Sequence, residues 1–265
     1  MGTYSYNFNG IAFDEMKDFL DEKYLRFNKE EFIHNDPVSV PHLFSSKRDI
    51  EISGFLTATI SWGRRDLIIA SATELIRRMG NKPYEFLMES APDDFRELNS
   101  FYYRTFQGTD IVYFLKALQR LYTEYEDMEQ LFLRYYKKTG NIIGALSGFR
   151  AEFFSCEHEK RTEKHFADIS RGAAGKRLNM FLRWMVRNDG RGVDFGLWRT
   201  IAPSGLFVPL DLHTGNIARK LGLLTRKAND WKAVEELTSV LRSFDPSDPV
   251  KYDYALFGLG VNEMF

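Results

Sequence analysis

The chain has 265 residues, of which 44% are hydrophobic, 15% aromatic and 28% charged, which is typical of globular proteins and excludes disordered or collagen-like chains. The formal net charge of −1 excludes a globally basic protein and argues against a nucleic-acid partner unless the charge is unevenly distributed. The single cysteine, Cys156, excludes an intramolecular disulfide and a four-cysteine zinc or iron–sulfur site. Without a secretory leader pattern or an apolar stretch of about 18 residues, we expect a cytoplasmic protein with no membrane contact.

Helical periodicity dominates the chain and predicts an all-α fold. Amphipathic spacing indicates one or two helices over 12–33, followed by a loop over 34–44. Further helices are predicted over 51–62, 67–80, 111–125, 127–138, 175–187, 214–221, 230–243 and 249–258. We expect Asp49 and Asp110 to cap two of these helices, and the glycine-rich segment 140–148 to form a junction.

Charge is unevenly distributed along the chain. Residues 171–191 carry a net charge of +5, whereas residues 85–130 carry −6. At about 100° per residue, Lys176, Arg183 and Arg187 share the polar face of one predicted helix. A basic stretch near a helix start is typical of a surface that contacts phosphates, although an ordinary solvated helix face produces the same pattern.

Two residues in this part of the chain have placements that suit chemistry. Lys176 is predicted in the first turn of a helix, where the helix dipole disfavours an ammonium by roughly 0.3–1 kcal/mol and so favours the neutral amine of a nucleophile. Asp211 precedes the next helical pattern, so backbone N–H groups are expected to hold it ionised and fixed. The alternatives are an ordinary surface lysine and a purely structural helix cap.

These two segments together resemble the helix–hairpin–helix DNA glycosylase superfamily, which includes endonuclease III and the archaeal 8-oxoguanine glycosylases. Lys176 followed by Asn179 resembles the end of the family's hairpin, and Leu210-Asp211-Leu212-His213 resembles its aspartate tetrad at the start of a helix. The turn Arg171-Gly172-Ala173-Ala174-Gly175 departs from the usual Pro-Gly-Val-Gly hairpin. The likeness extends over residues 49–260, and the chain as a whole resembles a bacterial family without an assigned function.

The resemblance implies two helical subdomains with an intervening cleft, residues 48–185 with the hairpin and residues 1–47 plus 186–265. It implies a monomeric enzyme without cofactor that acts on double-stranded DNA containing a damaged base, an oxidised purine by analogy with the archaeal members. In this interpretation Lys176 attacks the sugar C1′ and forms a Schiff base, which permits β-elimination, while Asp211 stabilises the developing positive charge.

The resemblance also assigns the DNA contacts and a base pocket. The DNA contacts are Gly172, Gly175, Arg177, Asn179, Arg183, Arg187, His213, Thr214 and Arg219. Trp62 is the aromatic residue best placed to form the base pocket or a wedge, with a core or rim tryptophan as the alternative. Cys156, His158 and His165 lack a fourth ligand at a standard spacing, so we predict no metal site.

Three hypotheses about function remain open on the sequence. The first is a glycosylase and lyase, the second a catalytically silent DNA-binding protein of the same fold, and the third a helical protein-interaction module. Lys176 and Asp211 favour the first over the second, since DNA binding alone needs neither residue. The basic segment 171–191 favours both over the third.

Overall fold

The fold is described from a computed structural model, in which residues 8–91 and 93–262 are described. Their regular elements are all helical, with β pairing confined to isolated bridges, so the predicted all-α class is confirmed. In this part of the chain, no helix combines the length and apolar character needed to cross a bilayer. The described residues up to Phe32 and from Arg171 onward form one compact unit (unit 1), and Ile33–Ser170 form another (unit 2).

The α-helices follow the periodicity of the sequence closely. They are α1 (Phe13–Phe27), α2 (Lys47–Thr59), α3 (Arg65–Arg78), α4 (Pro83–Glu89), α5 (Gly108–Glu124), α6 (Met128–Thr139), α7 (Ile142–Phe153), α8 (Lys176–Val186), α9 (Leu212–Lys220), α10 (Trp231–Phe244) and α11 (Tyr252–Asn262). Short 3₁₀ helices occupy Glu30–Asn35, Pro37–Ser39, Pro41–Leu43, Asp94–Ser100, Lys160–His165, Ile169–Arg171, Pro203–Gly205 and Pro249–Lys251.

Unit 2 is built around α2, which is buried along nearly its whole length. The ring of Phe55 lies 5.7 Å from those of Phe149, Phe153 and Phe166, and 6.1 Å from that of Phe114. Aromatic pairs at such distances contribute beyond the area they bury. This cluster explains why α2 is apolar on almost every side, as the sequence predicted.

The two predicted caps are wrong in position. Ser46 caps α2, its Oγ accepting the N–H of Asp49 at 3.5 Å, while the Asp49 carboxylate accepts the N–H of Tyr84 at 2.8 Å. Asp110 lies at the third position of α5 and accepts the N–H of Gln107 at 2.9 Å. Both helices therefore begin upstream of the residue expected to cap them.

The predicted glycine junction at 140–148 is shorter than expected, because Gly140 ends α6 with φ +73° and α7 already begins at Ile142. The Asn141 side chain accepts the N–H of Gly144 at 2.8 Å and caps α7. A Cβ at Gly148 would lie 2.1 Å from the ring of Tyr135 on α6. Gly140 therefore separates the two helices, whereas Gly148 permits them to pack closely.

The division into units differs from the one predicted at 48–185, because α8 belongs to unit 1. Its arginines Arg183 and Arg187 form ion pairs with Asp194, which follows them in the same unit. Also within unit 1, α11 packs against α1 and α9. A short 3₁₀ helix, Ile169–Arg171, stands before the glycine turn in place of the first α-helix of the motif, and α8 follows the turn. The helix–hairpin–helix motif and the cleft therefore stay predictions.

Candidate functional site

A tight glycine turn places Lys176 at the start of α8. Gly172 has φ +88° and Gly175 has φ +61°, values that favour glycine, and Gly175 is the N-cap of the helix. Ala173 forms an isolated bridge with Asp230, and the carbonyl of Gly172 accepts the N–H of Trp231 at 2.9 Å. The turn is thus fixed to the start of α10.

Asn179 stabilises this turn from inside α8. It is 1% exposed, and its Nδ2 donates to the carbonyl of Ala174 at 3.3 Å. The side chain of Asn179 therefore braces the turn, and its predicted DNA contact stays a prediction. Lys176, by contrast, is half-buried, and its ammonium makes no hydrogen bond or ion pair with the residues that the structure describes.

Asp211 is the N-cap of α9, as predicted. Its Oδ1 accepts the N–H of Thr214 at 2.9 Å, and its carbonyl accepts Nδ2 of Asn229 at 3.1 Å. Arg219 in turn donates from Nη2 to Oδ1 of Asn229 at 2.6 Å. The Asp211 carboxylate is therefore held in one orientation. Thr214 is 1% exposed, so its side chain is turned away from the surface and its predicted DNA contact stays a prediction.

Asp253, in the first turn of α11, is a further acidic residue near Lys176 and Asp211, and the sequence did not predict it. It is buried, and its Oδ2 accepts a hydrogen bond from Nη1 of Arg183. Burial is the main cause that raises the pKa of Asp253 to about 6. The negative charges of Asp211 and Asp194 contribute to this shift, and the positive charges of Arg183 and Lys176 oppose it. Asp253 therefore lies within electrostatic range of both Lys176 and Asp211.

A signal for Asp253 was present in the sequence. It is the only charged residue in the α11 segment Tyr252–Asn262, whose other residues are mostly apolar or glycine. A lone acid in an apolar helix is costly to bury unless it is paired, and it is therefore a candidate for a site. The motifs that the resemblance identifies end upstream of Asp253, so the sequence predicts only a helix over 249–258 there.

Arg183 and Arg187, which the resemblance assigns to DNA contacts, are buried in ion pairs in this structure, so these contacts stay predictions. Arg183 is 4% exposed, and its Nε lies 3.3 Å from Oδ1 of Asp194. Arg187 is 1% exposed, with Nη1 at 3.0 Å from Oδ2 of Asp194 and Nε at 2.8 Å from Oδ2 of Asp248. The polar face of α8 that the sequence identified is covered by carboxylates instead of solvent.

The other predicted contacts differ in exposure. Gly172 and His213 are exposed, whereas Gly175 is buried beneath the turn. Arg177 is half-buried, and burial lowers the pKa of its guanidinium to about 10. Arg219 is also half-buried, and its Nε donates to the carbonyl of Arg226 at 2.8 Å. Of these residues, His213 offers an exposed side chain for a ligand.

Trp62 belongs to unit 2 and lies beyond the C-terminal end of α2 at Thr59. Its half-buried ring stacks on His165 at 5.8 Å with an interplanar angle of 28°, and meets Tyr103 edge-on at 5.3 Å. The Tyr103 hydroxyl donates to the carbonyl of Trp62 at 2.6 Å. The ring is therefore fixed by its neighbours, and its predicted role as a base pocket or wedge stays a prediction.

Unit 2 also contains a buried acid, Asp110, whose carboxylate accepts several hydrogen bonds. Asp110 Oδ1 accepts from Thr162 Oγ1 at 2.7 Å and Arg161 Nη1 at 2.8 Å, and Oδ2 lies 3.3 Å from Nε2 of His165. Burial raises the pKa of Asp110, but the bonds from His165, the Gln107 N–H and Thr162 outweigh it and hold that pKa well below its usual range.

The three residues with zinc-like spacing lie in separate surroundings. His165 faces Asp110, whereas the Nε2 of His158 lies 3.3 Å from a carboxylate oxygen of Glu163 and the thiol of Cys156 is exposed. Across residues 8–91 and 93–262, no three His, Cys, Asp or Glu side chains gather in an arrangement suited to a metal ion.

The fold and the site define a helical protein in which Lys176 and Asp211, both in unit 1, each lie within electrostatic range of the buried Asp253. The family described as "Protein of unknown function (DUF2400)" matches residues 36–262, and the chain belongs to this family. No curated protein and no solved structure matched the chain.

Proposed function

We propose that this protein is a DNA glycosylase with β-elimination lyase activity, which removes a damaged base, an oxidised purine in the first instance, from double-stranded DNA. The observation that carries the proposal is the grouping of Lys176, Asp211 and Asp253 in unit 1. The resemblance of the segments around Lys176 and Asp211 to the glycosylase superfamily also supports it.

Lys176 is the proposed nucleophile. Its nitrogen lone pair forms a bond to C1′ of a flipped-out nucleotide as the bond from C1′ to the base breaks and the departing base takes up a proton. Opening of the sugar ring then gives a protonated imine. Loss of a proton from C2′ and departure of the 3′ phosphate complete the β-elimination. A lysine at a helix start suits this role when no hydrogen bond or ion pair holds its amine, which is the case for Lys176 within the described residues.

Asp211 is the proposed group that stabilises positive charge on the sugar. The Thr214 N–H holds Oδ1, while Oδ2 accepts no hydrogen bond from the described residues and is available to the substrate. A fixed carboxylate needs little reorganisation when charge develops, which is the main requirement for electrostatic catalysis. Asp253 acts through its neighbours, because its charge interacts with those of both Lys176 and Asp211.

Borohydride trapping tests the nucleophile. Duplexes carrying 8-oxoguanine, uracil, thymine glycol or an abasic site are incubated with the protein and sodium borohydride, and the covalent adduct is measured on a denaturing gel. We expect an adduct with a damaged-base duplex, its loss in Lys176→Ala, and its retention in Lys232→Ala, which changes an exposed lysine of α10. Full trapping by Lys176→Ala would refute the assignment, as would DNA binding without an adduct on any lesion.

Asp211→Asn tests the electrostatic role without disturbing the helix. Asparagine caps helices about as well as aspartate, so the bond from Thr214 N–H is expected to persist while the charge is lost. We expect single-turnover base release to fall by about 10²–10⁴-fold. An unchanged rate, with unchanged stability in urea, would exclude Asp211 from the reaction.

One observation favours a second candidate, a helical protein-interaction module. Burial of Arg183 and Arg187 removes two cations from the surface that the sequence had assigned to DNA. Anisotropy of a labelled duplex across a salt series separates the candidates. A DNA-binding protein loses affinity steeply as salt rises, whereas the interaction module has no measurable affinity at any salt concentration.

A further inference from the structure

Unit 1 also contains a cavity beside α9. Its volume is about 300 Å³, which is at the lower end of the range for small-ligand sites, about 300–1,000 Å³. It is lined by His213, Asn216, Ile217, Arg219, Lys220 and Gly260. Four of the lining residues were in neither the catalytic pair nor the predicted DNA contacts, namely Asn216, Ile217, Lys220 and Gly260.

The cavity presents several unused hydrogen-bond donors on one helix face. His213, Asn216 and Lys220 follow one another at intervals of three and four residues, which places them on the same side of α9. All three are exposed, and their side chains make no hydrogen bond or ion pair within the part of the chain that the structure describes. The face is therefore free to bind a ligand.

The cations that line the cavity differ from some other surface cations because no acidic residue accompanies them in the lining. Lys82 pairs with Glu85, and Arg64 pairs with Asp66. The lining of the cavity instead combines Arg219 and Lys220 with no acidic residue. Both cations lie in the last turn of α9, where the helix dipole stabilises positive charge.

The walls of the cavity are fixed. Arg219 donates to the carbonyl of Arg226 and to Asn229, so its positive charge stays in place without a ligand. A Cβ at Gly260 would lie 3.3 Å from Cγ1 of Ile217 and 3.5 Å from Cβ of His213. Glycine at this position of α11 therefore keeps the space beside α9 open.

We propose that this cavity binds a phosphate group, held by Lys220, His213 and Asn216 beside the fixed charge of Arg219. A phosphate offers acceptor oxygens in several directions and a negative charge, which matches a lining of donors and cations with no acid. Both a nucleotide and a phosphodiester of a nucleic-acid backbone supply this chemistry. The proposal does not depend on the reaction at Lys176.

Phosphate binding is tested by NMR at constant ionic strength. Inorganic phosphate is titrated while the ring C–H signal of His213 is followed, with His213→Gln used to assign it. We expect a saturable shift, weakened at least about fivefold in Lys220→Ala, since one charged hydrogen bond is lost. Lys232→Ala is the matched control and is expected to titrate like the wild type. A shift that chloride reproduces, or no shift, would overturn the proposal.

A second variant fills part of the cavity and leaves the charge of its lining unchanged. Gly260→Met adds a side chain to the wall that Gly260 forms, and is expected to weaken phosphate binding like Lys220→Ala. Urea unfolding checks that the variant is folded. Unchanged phosphate binding in both folded variants would place the ligand elsewhere and overturn the site.

The source of the phosphate is identified with a mononucleotide and a labelled duplex. If the site contacts a DNA backbone, Lys220→Ala reduces the salt dependence of duplex binding by about one unit of slope. If it takes a free nucleotide, only mononucleotide binding weakens. Either result supports the site, whereas equal binding of both ligands by wild type and variant contradicts it. Phosphate binding that persists without borohydride trapping separates this site from the proposed reaction.

Discussion

Two buried carboxyl groups behave in opposite ways in this protein. Asp110 in unit 2 is fully buried, yet its pKa is held well below its usual range by His165, the N–H of Gln107 and Thr162. Asp253 in unit 1 is buried to a similar degree, and its pKa rises to about 6. Burial alone therefore does not decide what a buried acid does.

The difference arises from what surrounds each carboxyl group. Asp110 is surrounded by hydrogen-bond donors that hold its pKa well below its usual range, which suits an anchor that is ionised at neutral pH. Asp253 has Arg183 as a partner but also feels the negative charges of Asp211 and Asp194. An acid whose pKa lies near neutrality next to an unpaired lysine is available for chemistry, whereas a fully satisfied acid is not.

The largest effect is expected for Asp110→Ala. The substitution leaves His165 and the other donors without their acceptor, and breaking a buried pair by removing one partner costs about 3–5 kcal/mol. The free energy of unfolding in urea measures this loss. Glu85→Ala, which breaks an exposed pair with Lys82, is the control and is expected to change stability by less than about 1 kcal/mol. Equal losses of stability in Asp110→Ala and Glu85→Ala would mean that the buried Asp110 contributes no more than an exposed ion pair.

Asp253→Asn is expected to change the pH dependence of stability. Because the folded pKa of about 6 exceeds the ordinary value of 3.8, ionisation of Asp253 opposes folding. Its contribution is most favourable below pH 3.8 and is lost as pH rises through about 6. The stability of the wild type relative to Asp253→Asn should therefore rise by about 2 kcal/mol from pH 7 to pH 4. A difference that is independent of pH would contradict the raised pKa.

Thr162→Val removes one donor from Asp110 and nearly preserves the shape of the side chain. Thr162 is 1% exposed, and its hydroxyl bonds to Oδ1 at 2.7 Å. A hydrogen bond to a charged group contributes about 1.5–3 kcal/mol, so a loss in that range is expected in urea unfolding. A loss of less than half of the lower value in this range would mean that the remaining donors to Asp110 compensate for the missing hydroxyl.

The smallest effect on stability is expected for Lys176→Met. The side chain is half-buried and unpaired within the described residues, so unfolding in urea should change by no more than about 0.5 kcal/mol. The same variant is expected to lose covalent trapping entirely. A stability loss comparable to that of Asp110→Ala would show that Lys176 is a structural residue, which would remove the contrast between the two regions.

Much of the fold could be predicted because helical periodicity is local. The start of α9 at Asp211 was predicted correctly, since the cap and the helix are neighbours in the sequence. The role of Gly148 in the segment 140–148 could not be predicted, because the close approach of Tyr135 to Gly148 is a tertiary contact. Glycine has the same local preference whether it breaks a helix or permits helices to pack.

The site was predicted less completely for a related reason. Periodicity placed Arg183 and Arg187 on one face of α8 but could not indicate what covers that face. The covering acids Asp248 and Asp253 follow more than 60 residues later in the chain. Their effect is large, because it converts an expected phosphate-binding surface into a buried ionic network.

Cys156 is the only cysteine in the sequence, and its thiol is exposed. The wild-type chain therefore accepts one maleimide dye per molecule at a known position in unit 2, without an engineered attachment point. None of the substitutions above adds or removes a cysteine, so every variant carries the same single probe. Differences in dye signal among them then report on the substitution and not on the stoichiometry or place of labelling.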